Sequence, residues 1–478
     1  MAIFRSSRWR DMVVYSASAN ELHGVHLHAN VRRIKVTKRK CLLSGIILTP
    51  ILAFYWMLAR ETVNIPFLDD YSGVLGFLNG WSRLGTVHER LMLIFTAQHN
   101  EYKLIFANAL YALQYLSFRH INFVVLSTVG NVLLLPLLLV IYRMWIKDGR
   151  AIPDRLLLFV PVSWVLFQLQ YYSLLNWPMS SLQHIAVVFF SLLSIYLLSR
   201  DEQRTYYFSL VSLLLAIASS GNGFFVIPIG CVMLLQFRRL ARLLSWLATS
   251  VAMLTLYLYR YNFLSSQARS DHSVVSSLHH ISPVYALSFL GASIARYGAY
   301  MPSAILGCFL FAVFIYAIKD KLYATSPAIF YSICFIMITA LAVSGLRSDL
   351  GITQSLVSRY RIYSNILLIF VYLYGVGKVQ NRLHIPWLRR TGATVIVFLA
   401  IGFNLGSNYA GFKLLRARTA LTKEGLYRWE YGQQSITTSP GPANEDPVIR
   451  RQRESGNYAP EDEPLREAIR LHLYSSPL

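Results

Sequence analysis

The stretch YYFSLVSLLLAIASSGNGFFVIPIGCVMLLQF (residues 206–237) carries no charged side chain and is interrupted once, by Gly221-Asn222-Gly223. As one straight helix it would run about 48 Å at 1.5 Å per residue, well beyond a hydrocarbon core of roughly 30 Å. It would also put the flanking Arg204 and Arg238 on opposite faces of a bilayer. A hairpin turning at 221–223 removes both conflicts, giving two short spans with both arginines on one side.

Apolar runs recur along most of the 478 residues, of which 55% are hydrophobic and only 14% charged. That is too little charge to coat a soluble domain. The expected fold class is all-α, a polytopic membrane protein of about eleven transmembrane helices. The spans fall near 42–59, 121–142, 156–170, 184–199, 206–220, 223–237, 243–261, 301–318, 326–345, 362–377 and 391–410. With the amino terminus inside, the inside connections after residue 120 hold fifteen Lys and Arg and the outside ones five, a strong positive-inside asymmetry. The asymmetry survives only if YKLIFANALYALQYLSF (102–118) lies along the outer surface instead of crossing.

Three regions result: a basic cytoplasmic arm (1–41), a membrane domain (42–410) whose first outer loop spans 60–120, and a polar outer tail (411–478). The tail holds ten Lys and Arg, nine Asp and Glu and the stretch TTSPGPANEDP, and reads as loosely ordered. The net charge of +22 sits in short clusters between apolar runs, which is topology signal and lipid-headgroup contact, not a nucleic-acid surface. The four cysteines lie in or beside apolar runs and suggest neither a disulfide framework nor a CxxC metal site.

Only 23 Asp and Glu are present, none within a span, and of the seven on the outer side five lie in the first outer loop. Asp69 and Asp70 are adjacent in NIPFLDDYSG (64–73). Two neighbouring carboxylates at a low-dielectric surface fit a general base with a metal- or substrate-holding partner. They equally fit a solvated loop capping the helix that DDYSGVLGFL begins. AQHNEYK (97–103) gathers His99, Asn100, Glu101 and Lys103. His99 and Glu101 can complete a divalent-metal site with an aspartate such as Asp70, and Lys103 can face a phosphate; a helix start capped by Asn100 accounts for the same residues. QLQYYSLLNWPMSSLQH (168–184) offers amides and the Trp177 face, suited to a sugar ring or to an interfacial aromatic belt. Arg347, Arg359 and Arg361 lie on the side where cations are otherwise scarce, and Arg359 can clamp a lipid phosphate or simply meet headgroups.

On LDDY after the first span, the long outer loop and QHNEYKLIFANALYALQYLSF before the second, the chain resembles the GT-C class of integral-membrane glycosyltransferases. That class includes protein O-mannosyltransferases and lipid A aminoarabinose transferases. Asp70 stands where relatives often carry Glu, and no Pro-Pro occurs at 99–103. The resemblance implies a polyprenyl-phosphate-linked sugar donor and an extracytoplasmic glycan, lipid or protein acceptor, with inversion. It implies Asp69 as base, and Asp70 supporting it or a divalent ion. His99, Glu101 and Lys103 would hold metal or phosphate, and Arg359 the lipid phosphate. The expected location is a bacterial inner membrane, with the site and tail periplasmic. A transporter or flippase for lipid-linked glycans and an O-antigen-type polymerase are the competing readings.

Overall fold

A computed structural model describes residues 19–146, 155–262, 281–295, 299–382, 386–432 and 460–477. Arg269, Asp271 and Arg296 of the outer connections lie outside the described residues, as do Lys147 and Arg150 of an inner one. The chain is an all-α polytopic membrane protein. Helix α1 (Ala19–Glu61) is followed by a π turn (Tyr71–Leu75) leading into α2 (Gly76–Ser82), then α3 (Val87–Thr96). A two-stranded hairpin, β1 (Gln98–His99) and β2 (Tyr102–Lys103), precedes α4 (Ile105–Phe118), α5 (Phe123–Val132) and α6 (Leu134–Ile146). Next come α7 (Arg155–Leu166), α8 (Tyr172–Leu175), α9 (Pro178–Leu198), α10 (Gln203–Ser219), α11 (Val226–Gln236) and α12 (Leu240–Leu258). The chain closes with α13 (Pro283–Leu290), α14 (Met301–Lys319), α15 (Pro327–Arg347), α16 (Arg361–Arg382), α17 (Pro386–Glu430) and α18 (Asp462–Arg470).

Nine helices among the described residues are long and apolar enough to cross a membrane. The expected pair at 206–220 and 223–237 is the short hairpin of α10 and α11, at 17 and 11 residues. The Gly-Asn-Gly turn is a packing requirement: a Cβ on Gly223 would stand 2.3 Å from the Ala216 carbonyl oxygen. Asn222 anchors the turn by donating to the Tyr363 hydroxyl at 3.1 Å. At the other end of the hairpin Arg239 donates to the carbonyl of Arg200 at 3.0 Å, which places the arginine-bearing ends side by side.

Hydrogen bonds and ion pairs sort the connections into two ends. At one end Lys378 pairs with Asp320 and Gln236 donates to the Tyr323 carbonyl. At the other, Glu101 pairs with Arg347, Lys103 meets Tyr259 and Arg418 meets the Ser173 carbonyl. The first long loop is built from helices too short to span: α2, α3 and α4 have 7, 10 and 14 residues. Helix α3 starts on a capping box, Thr86 accepting from the Glu89 amide and Glu89 accepting from the Thr86 amide. That assigns Glu89 to a helix start.

Two findings depart from expectation. Helix α7 stops at Leu166, and the backbone freed between 164 and 171 is met by side-chain amides instead of water. Asn404 donates to the carbonyls of Trp164 and Phe167 at 2.7 and 2.8 Å, Asn408 accepts from the Leu169 amide, and Gln170 donates to Gln168 and Asn365. Gln168 and Gln170 are therefore structural. The second departure is the tail. Helix α17 continues 20 residues past 410, to Glu430, and 460–477 folds back onto the first loop. Leu465, Ala468, Leu473 and Tyr474 are buried in one apolar cluster with Val74, Leu78, Tyr111 and Phe123. Each such leucine contributes roughly 2 kcal/mol of apolar burial, and the segment is tied further by the Ile121 amide donating to the Leu473 carbonyl at 2.8 Å and the Tyr474 hydroxyl donating to the Asn64 carbonyl at 2.9 Å.

Candidate active site

The acidic pair sits in a tight turn that splits it. Leu68 adopts a left-handed φ of 49°, rare for a branched apolar residue. The turn closes through the Asp70 amide to the Phe67 carbonyl at 3.0 Å and the Gly73 amide to the Asp69 carbonyl at 2.7 Å. Consequently the two carboxylates meet different surroundings. Asp70 is fully buried, whereas the Asp69 side chain keeps 34% of its surface exposed.

Asp70 does not cap the helix that follows it. Its Oδ2 accepts from the Phe67 amide and its Oδ1 from the Met179 amide, each at 3.1 Å. Met179 is in the first turn of α9, so Asp70 caps a helix that begins more than a hundred residues later. Burial pushes the Asp70 carboxyl up to about 8, against the pull of those two amides and of Arg418. Arg418, also buried, lies 3.6 Å from the Phe67 ring and donates to the Ser173 carbonyl at 2.6 Å. Trp177 packs edge-on against Phe67 at 5.6 Å and is buried beneath the turn. It supports the loop from below, not as an open sugar platform.

Asp69 faces His99, Nε2 to Oδ1 at 3.7 Å. His99 comes from β1, and its Nε2 is buried with no hydrogen-bond partner among the described residues. The HNEYK cluster is thus a hairpin, not a capped helix start; Asn100 takes a left-handed φ of 52° in its turn, and α4 begins at Ile105 after Leu104, which provides no side-chain cap. His99 also lines a cavity of about 340 Å³ with Ser72, Gly73, Gly76, Gly80 and Gln98 among its walls. Glu101 pairs with Arg347. Lys103 is buried, its Nζ donating to the Tyr259 carbonyl at 2.5 Å, where the end of α12 offers unpaired carbonyls. Desolvation lowers its pKa. A phosphate ligand at Lys103 would have to displace that contact.

Tyr102, next to Lys103, links the two sides of the site. The charges within its reach are Glu101, Arg347, Asp69 and Arg359, and burial pushes its hydroxyl up to about 12. Arg359 stacks over Tyr360 at 5.4 Å. Tyr102 is thus within electrostatic reach of Asp69, of the Glu101–Arg347 pair and of Arg359, while Asp70, Lys103 and Trp177 are buried. Among the described residues no three His, Cys, Asp or Glu side chains stand where one ion would reach them all. The donor set Asp70, His99 and Glu101 does not fit a divalent ion: Asp70 is engaged by two amides and Glu101 by Arg347.

Sequence reasoning missed two residues. Arg418 carries no motif in RARTAL, and Glu461 lies in a stretch read as loosely ordered. The Glu461 carboxylate lies within electrostatic reach of Ser72, Asp69 and His99, and burial raises its pKa.

No protein-family model matches the chain, and no curated protein matches its sequence. Among solved structures the chain is similar to the archaeal oligosaccharyltransferase AglB from Archaeoglobus fulgidus, in complex with an inhibitory peptide and a dolichol-phosphate. The TM-score is 0.40 at 13% identity, over 86% of this chain. The chain spans 61% of the length of that protein.

Proposed function

We propose that this membrane protein transfers a sugar from a polyprenyl-phosphate-linked donor to a glycan, lipid or protein acceptor outside the cytoplasm of a bacterium, with inversion at the anomeric carbon. The observation that carries the reading is the division of labour within the acidic pair: Asp70 is committed to the scaffold, and Asp69 is left half-exposed beside His99. In this reading Asp69 takes the proton of an acceptor hydroxyl as its oxygen bonds the anomeric carbon. The bond from that carbon to the phosphate oxygen breaks, and the electron pair leaves on the phosphate. A phosphate is already a stable anion, so it needs cations nearby rather than an acid. Arg359, and Arg347 beyond its pairing with Glu101, supply positive charge within electrostatic reach of Tyr102. Asp70 acts through the turn, fixing the backbone on which Asp69 stands.

The arrangement also suits a donor whose tail stays in the bilayer, since the acidic loop rests directly on helices that cross it. The test is envelope composition. Cells lacking the protein should lose one sugar from a surface polysaccharide, lipopolysaccharide or glycoprotein and accumulate its lipid-phosphate-linked form, and the native gene should restore both. Unchanged envelope glycans with no accumulated donor would remove the proposal.

A further inference from the structure

A groove of about 770 Å³ runs between α1 and α17. Both helices pack on α7, and Trp164 of α7 lies among the groove's walls. On the α1 side Thr49, Pro50 and Ala53 are too short to fill it. Trp56 and Tyr409, both exposed, stand on its two sides. Exposed apolar side chains on helices that cross a membrane meet hydrocarbon, so the groove opens to lipid. From Asn404 to Arg416 helix α17 advances about 18 Å, close to the roughly 15 Å of one leaflet of the hydrocarbon core. The two ends of the groove differ. At one, Asn404 and Asn408 are spent on each other and on the backbone that follows α7. At the other, Lys413 and Arg416 line the groove, and no acidic side chain does. Arg60, one turn beyond Trp56, adds a third cation, 5.7 Å from the centre of that ring.

We propose that this groove binds a phospholipid of the surrounding bilayer whose headgroup carries net negative charge. An acyl chain lies between α1 and α17, and Lys413 and Arg416 hold the headgroup phosphate. The helix geometry separates this lipid from a sugar donor. Arg418, two residues past Arg416, stands roughly 200° round the helix, and it is Arg418 that meets Phe67 and Trp177 beneath the acidic turn. One turn beyond Met57 the Thr419 hydroxyl donates to the Glu61 carbonyl at 2.7 Å, joining α1 to α17. A headgroup at Lys413 and Arg416 is therefore held on the other face of α17 from the acidic turn. Bound there, the lipid braces the two helices that carry that turn, since α1 leads into it and α17 supports it through Arg418.

The experiment places the full chain in nanodiscs of equal phosphatidylglycerol and phosphatidylcholine and reads the lipid it retains by native mass spectrometry. Phosphatidylglycerol should be retained in several-fold excess. Lys413→Gln combined with Arg416→Gln, both at exposed side chains, should abolish the excess. Ala53→Phe, which fills the groove and leaves the cations in place, should lower it several-fold. Arg390→Gln, which removes a charge at the far end of α17, should leave it unchanged. Nanodiscs of phosphatidylglycerol should also raise the unfolding midpoint above that in phosphatidylcholine, and the double variant should lose that shift. Equal retention of the two lipids, or an excess indifferent to the double substitution, overturns the site. Displacement of the retained phosphatidylglycerol by added undecaprenyl phosphate would assign the groove to a carrier lipid and overturn its stated occupant. The retained-lipid ratio does not depend on any reaction, so it stands or falls separately from the envelope comparison.

Discussion

In the break after α7, Gln168, Asn404 and Asn408 are buried and their amides are consumed by one another and by backbone carbonyls and amides. On the first loop Asp69 keeps a third of its side chain exposed, and His99 Nε2 has no hydrogen bond among the described residues. Both regions are polar groups set in an apolar protein, and in both an unmet buried group would cost about 1–3 kcal/mol. The amides of Gln168, Asn404 and Asn408 are spent in repairing a helix break. The acid loop is divided, with Asp70 held by two backbone amides as those side chains are held, and Asp69 partly exposed beside His99. Access to solvent, not polarity itself, separates a reactive position from a structural one.

The sharpest way to break this contrast is inside the acidic pair. Asp70→Ala would strand the Phe67 and Met179 amides together, and should cost roughly 2–4 kcal/mol. Thermal unfolding in detergent should show a strongly lowered midpoint, and Asp69→Asn should leave it close to native. Equal effects of the two substitutions would erase the distinction. A smaller effect is expected in the amide layer, where Asn404→Leu leaves the Trp164 and Phe167 carbonyls without their donor. A loss of about 1–3 kcal/mol should appear in the same assay, with the product level falling only as far as the amount of folded protein falls. The third difference is in pH dependence. The Asp70 carboxyl is raised to about 8 in the folded chain, so the native state retains a proton that the unfolded chain gives up near pH 4. Stability from this group is complete at low pH and is lost as pH rises towards and through about 8. Between pH 5 and 9 the unfolding midpoint of the native protein should therefore fall more steeply than that of Asp70→Asn.

The hairpin was legible because two independent constraints agreed, the bilayer thickness and the side occupied by Arg204 and Arg238. The acidic pair was legible as a rarity in a chain poor in carboxylates. Its division was not, because the partner that claims Asp70 is Met179, in a helix whose start is set by Pro178 and reveals nothing about what will cap it. Glu101 and Lys103 were misjudged for the same reason: Arg347 and Tyr259 lie 246 and 156 residues away in sequence. Local spacing gathers such side chains, and tertiary partners then disperse them. Of the tail, TTSPGPANEDP (437–447) lies outside the described residues, while 411–430 and 460–477 were misread on composition. Its polar average hides Leu465, Ala468 and Leu473, which share one buried face of a nine-residue helix and its exit.

The most direct measurement is the glycan product of cells whose only copy carries Asp69→Asn, compared with native and deletion strains at matched levels of inserted protein. The half-exposed carboxylate next to His99 is expected to be indispensable, so the substituted strain should match the deletion while the protein unfolds at the native temperature. Native levels of product from that strain would contradict the account.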